Sequence, residues 1–130
     1  MPNILTLDGS RIHDIASFFD EVNRVFMADE DWDLAHSLDA FDDLLHGLYG
    51  ALDGEARATL VWTEFERSRA ALGIPATRTW LQAKLAMPTR YDSARIEREL
   101  AALDAGTGPT FFDIVLTIIA AHPNIALVPR

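Results

Sequence analysis

Three short apolar runs, far apart in the chain, constrain the fold most. Asn3 to Leu7 (NILTL) ends at Asp8-Gly9 and reads as a strand and turn; Thr59 to Trp62 (TLVW) is too short for a helix and reads as a buried strand; Asn124 to Val128 (NIALV) closes the chain. Between them the apolar residues recur at helical spacing. Asp14 is placed to cap a helix in which Ile15, Phe18, Phe19, Val22 and Phe26 share a face. A second helix opens at Ser37, and Thr63 with Glu66 matches a capping box for a third from Glu64 to about Leu72, stopped by Gly73 and Pro75. Thr77 to Met87 and Asp92 to Ala105 read as two further helices divided by Pro88. Phe111 to Ala121, apolar nearly all round, reads as a buried one. The resulting order suits an α/β domain with a small, mainly parallel sheet of three strands. With 130 residues, 49% of them hydrophobic, the chain suffices for a single domain, 1–130, that buries its own core.

The stretch Asp29 to Leu48 (DEDWDLAHSLDAFDDLLHGL) is of a different kind. It holds seven carboxylates, Asp29, Glu30, Asp31, Asp33, Asp39, Asp42 and Asp43, and neither Lys nor Arg. From Ser37, a good capping residue, Leu38, Phe41, Leu44, Leu45 and Leu48 fall on one helical face, and Asp39, Asp42, Asp43 and His46 on the other. The dipole accounts for Asp39, in the first turn, but not for Asp43, which repels Asp39 four residues away at a cost of roughly 0.2–0.5 kcal/mol. The acidity is also local: residues 1–60 carry 13 acids and 3 bases, residues 61–130 carry 7 and 8. A net charge of −9 argues against nucleic acid as the direct ligand and suits a basic partner. Trp32, a large aromatic inside the acidic run, fits either a contact surface or a loop folding back on the first helix.

Other chemistry is sparsely encoded. Asp29, Asp31 and Asp33 open like a calcium loop, but Leu34 stands where the turn needs Gly and Ala40 where a bidentate Glu belongs. The histidines His13, His36, His46 and His122 are not at metal-like spacing from one another; His36 and His46, ten apart, would meet only through the tertiary fold. Phosphate-binding and nucleophile motifs are missing, and the Asp39/Asp42/Asp43 set lacks evident pocket residues to shift a carboxylate for acid–base work. An enzyme is therefore not expected, nor a cofactor or metal. With no cysteine, no long apolar run and no leader pattern, a cytoplasmic address is expected.

SLDAFDDLLHG resembles the N-L-D-A-L-x-D-x-L core of the barstar family, small inhibitors of secreted bacterial ribonucleases. The upstream LDGSRIHDIASFFDEV, the downstream LVWTEFERSR and the tail DIVLTIIAAHPNIALV are similar to further pieces of the family in the same order. The resemblance implies the barstar fold, with the segment from about Gly73 to Pro109 as a helical insertion that short members lack. It implies an inhibitor or immunity protein, a monomer when free, that occludes a basic ribonuclease or nuclease toxin with its acidic helix. Asp39 and Asp43 match the two aspartates of the family's helix, and the second engages the nuclease's catalytic basic groups. Ser37 stands where the family often has Asn, Asp42 where it has Trp, and His46 where it has Thr. Trp32 to His36 replaces its Tyr-Tyr-Gly loop, and Ile119 to His122 lacks the glutamate of its last helix. The partner-binding set is therefore Ser37, Asp39, Asp42, Asp43 and His46 with Trp32. The main alternative is a barstar-like binding module with a non-nuclease partner, its new face built by the insertion; an enzyme using the acidic face is a more distant one.

Overall fold

The computed structural model describes residues 3–130. Strands β1 (Asn3–Asp8), β2 (Ala58–Thr63) and β3 (Ile125–Pro129) form one parallel sheet in the order β1-β2-β3, with Leu5 opposite Leu60 and Leu60 opposite Leu127. Burial alternates along β2, where Ala58, Leu60 and Trp62 are buried while Thr59, Val61 and Thr63 are only half-buried. On β1, Leu7 is buried and Ile4 and Thr6 are exposed. One face of the sheet thus carries the core and the other is partly open, so β2 is not the fully buried strand its composition suggests. Gly9, which follows β1, is dictated by close approach: a Cβ there would lie 2.1 Å from the Thr63 carbonyl oxygen.

Among the described residues six α-helices accompany the sheet: α1 (Ile15–Phe26), α2 (Leu38–Leu45), α3 (Phe65–Ala71), α4 (Ile74–Leu85), α5 (Ser93–Asp104) and α6 (Phe111–Ala120). Capping boxes start α1 (Asp14 with Ser17) and α6 (Thr110 with Asp113), each satisfying two otherwise free N–H groups. The Phe18 ring is the hub of the core, edge-on to Phe19, Phe41 and Phe111 and stacked on Trp62 at 5.9 Å. The Trp62 indole N–H donates to Ser68 Oγ at 2.9 Å, so both can be buried without loss.

Three local expectations fail. Thr63 does not cap α3: β2 continues through it, and its hydroxyl donates across the sheet to the Leu7 carbonyl. The turn into α3 is made by Glu64, which takes a left-handed conformation (φ 51°) without a side-chain cap. Pro75 does not keep the next helix waiting until Thr77; it lies in the first turn of α4, where its missing N–H costs no intrahelical bond. Leu48 is not on the apolar face of α2, because the helix ends at Leu45 and Leu48 is among the most exposed large side chains.

The segment 73–109 contains α4 and α5, and no strand from it joins the sheet. The two helices share a small apolar cluster of Leu81, Ile96 and Leu103 and an Arg78–Asp104 ion pair. They are tied to the main core by Trp80, edge-on to Phe111 at 5.1 Å, and by buried Thr77, whose hydroxyl accepts from the Phe111 N–H.

Candidate functional site

The acidic helix α2 begins where Ser37 Oγ accepts the Ala40 N–H. Phe41, Leu44 and Leu45 are completely buried beneath it, which holds the opposite face to one orientation. Asp39 and Asp43 are exposed on that face, and no ion pair among the described residues uses either. With only eight residues in the helix, Asp43 falls in its last turn, where the dipole opposes a carboxylate.

Asp42 behaves differently from its neighbours. Its Oδ1 lies 2.7 Å from Nε2 of His122, a buried residue just past the end of α6. Its Oδ2 lies 3.7 Å from His46 Nε2, and the His46 and His122 rings meet edge-to-face at 4.6 Å. Asp42 therefore faces sideways into the join between α2 and α6 rather than wholly outward. His46 and His122 stand 76 positions apart in the sequence, so it is folding and not spacing that joins them.

Each end of α2 is flanked. Beyond its C-terminal end, Trp32 packs on Tyr49 with ring centroids 5.0 Å apart, and both remain partly exposed. Trp32 is thus a surface aromatic, carried on a loop that is itself fastened to α1. Burial, reinforced by the nearby Asp43 charge, raises the Tyr49 hydroxyl above its usual pKa. The loop holding Trp32 is pinned by Asn23, which accepts the Leu34 N–H at 2.6 Å and donates to the Leu34 carbonyl at 3.2 Å. His36, stacked on Phe19, anchors its far end. These contacts leave buried Leu34 where a calcium loop would require a wrapped turn.

At the N-terminal end of α2, a cleft of about 650 Å³ lies between Asp39 and the α4–α5 pair. In it Lys84 Nζ sits 3.7 Å from the centre of the Trp80 ring and 5.3 Å from that of Tyr91. Burial lowers the Lys84 pKa, and the Glu99 charge, with a smaller contribution from Asp39, opposes that shift only in part. Tyr49, Lys84 and His122 all border the acidic helix without any local sequence motif to announce them. Tyr49 alone had a signal, as an aromatic residue just past the helix, between Gly47 and Gly50.

The site is thus an anchored acidic helix presented by a three-stranded parallel α/β domain. Residues 3–97 match the family model described as Barstar (barnase inhibitor). The match covers β1, α1, α2, β2, α3 and α4 and extends into α5, and the chain belongs to the barstar family. No curated protein matches the chain at a significant level.

Proposed function

We propose that the protein is an inhibitor of the immunity type, which binds a basic ribonuclease or nuclease toxin and covers its active site with α2. The observation that carries this reading is the contrast along that helix. Asp42 is engaged within the fold, whereas Asp39 and Asp43 are exposed, without ion-pair partners among the described residues, and backed by a rigid core. A nuclease must present cationic side chains to phosphate, so fixed carboxylates can occupy the same positions. Complementary charge then speeds association and selects the partner. Ser37 starts the helix, and His46 and the Trp32–Tyr49 pair form the border of the contact face beside Asp43. In such an interface the aromatic pair supplies apolar area and excludes water around the charged contacts.

The direct test is inhibition of purified barnase, and of any basic nuclease encoded beside this gene, by the wild-type chain and by Asp43→Ala. Inhibition by the wild type, weakened in the variant, supports the reading. Failure against every such nuclease overturns it.

A second reading has its own observation. The α4–α5 pair borders Asp39 with a cleft that includes Lys84, Trp80 and Tyr91. If this pair is an addition to the family's short form, it enlarges the face around the acidic helix and suits a module with a non-nuclease protein partner. Binding of such a partner, lost on Asp43→Ala without any nuclease inhibition, would favour this reading.

A further inference from the structure

Two imidazoles and a carboxylate converge where α2 meets the end of α6. Asp42 in the last turn of α2 and His46 at its C-terminal cap are one helical turn apart, and His122 reaches them from a buried position after α6. One potential ligand atom from each of the three lies within 4.8 Å of the others. We propose that Asp42, His46 and His122 bind a divalent transition-metal ion of the zinc class.

The donor chemistry selects the ion. Two neutral imidazoles with one carboxylate suit zinc and its neighbours, whereas calcium and magnesium require a shell of oxygens. In a tetrahedral site with bonds of about 2.0–2.1 Å, ligand atoms stand roughly 3.4 Å apart. His122 Nε2 now lies 2.7 Å from Asp42 Oδ1 and His46 Nε2 3.7 Å from Asp42 Oδ2, and one ligand atom from each residue lies within 4.8 Å of the others, so a modest turn of the exposed side chains closes the set to that spacing. The ion takes the place of the proton shared by His122 and Asp42, and exposed His46 has the freedom to turn toward it. His122 is the rigid ligand, held by burial. Asp42 and His46 form the accessible side, leaving a fourth position for water or an external ligand. A purely structural hydrogen bond would need Asp42 and His122 alone. Helical spacing sets His46 beside Asp42, and the fold adds the His122 ring, edge-on to His46 at 4.6 Å, so that all three donors meet. The site does not depend on the inhibitor role proposed above.

Zinc chloride titrated into the metal-free full chain by calorimetry tests the site, together with thermal melts and X-ray absorption at the zinc edge. The expected result is one ion per chain, a saturable rise in Tm, and two imidazole ligands in the absorption spectrum. His46→Ala, an exposed substitution whose metal-free melt should match the wild type, should weaken zinc binding by at least ~10-fold, while His13→Ala, away from the cluster, should leave it unchanged. The absence of one-to-one binding, an absorption spectrum without imidazole, or undiminished affinity in His46→Ala would each overturn the assignment.

Discussion

Replacing Asp43 with alanine separates folding from function on the acidic helix. Within the chain this carboxylate has little reason to be there. It lies in the last turn of α2, where the dipole disfavours an anion by about 0.3–1 kcal/mol, and four residues from Asp39, which repels it by roughly 0.2–0.5 kcal/mol. Alanine is also the better helix former. Asp43→Ala should therefore leave Tm unchanged or slightly raised. Against a cationic group about 3 Å away across a closed interface, the gross attraction at an effective dielectric of 20 is roughly 5 kcal/mol. Desolvation removes part of that, leaving a loss of at least ~2 kcal/mol, the scale of an interface hot spot and about 30-fold in affinity. Leu44→Ala, one residue away but completely buried, should do the reverse and cost roughly 2–5 kcal/mol of stability. Titration calorimetry with the cognate nuclease and melts of both variants measure the two effects. Raised salt should slow association of the wild type more than that of the Asp43 variant. If Asp43→Ala binds as tightly as the wild type, the acidic face is only a solvated surface and the mechanism fails.

Calcium or a chelator should leave Tm unchanged, since Leu34 is buried and clamped by Asn23 where the loop would have to wrap an ion; a saturable calcium-dependent rise would contradict this. Glu64→Asn should stabilise the fold by about 0.5–1 kcal/mol, because asparagine tolerates the left-handed conformation and can cap α3; an unchanged or lower Tm would show that Glu64 is not strained. The Asp14 carboxyl is held below its ordinary pKa of 3.8, first by the hydrogen bond from the Ser17 backbone N–H. This stabilisation is present above the unfolded value and lost as pH falls through the lower folded one. Asp14→Ala should accordingly cost ~1 kcal/mol at neutral pH, with the gap to wild type closing in acid below that range; a gap independent of pH would refute the capping role.

Much of this architecture is written in short-range chemistry. Ser37 ahead of Leu38, Phe41, Leu44 and Leu45 is enough to start a helix and choose its buried face, and Asp14 does the same for α1. Helical segments between three short apolar runs point to a parallel sheet, and the order β1-β2-β3 realises it. The sequence alone therefore determined the class of fold and which helix would show its carboxylates. Tertiary structure decided matters in which distant groups compete for the same atoms. Thr63 had a capping partner in Glu66, but the Leu7 carbonyl across the sheet claimed its hydroxyl. Asp42 had the helical phase of a solvent-facing residue, yet a buried imidazole 80 positions away holds one of its oxygens. The cleft beside Asp39 likewise depends on tertiary contacts, Trp80 packed on Phe111 and Thr77 bonded to it, that bring α4 and α5 to that end of the acidic helix. Periodicity and capping act through neighbours three or four residues apart. Buried hydrogen bonds and aromatic contacts instead join whatever the packed core brings within reach, and that distance is set by the whole chain.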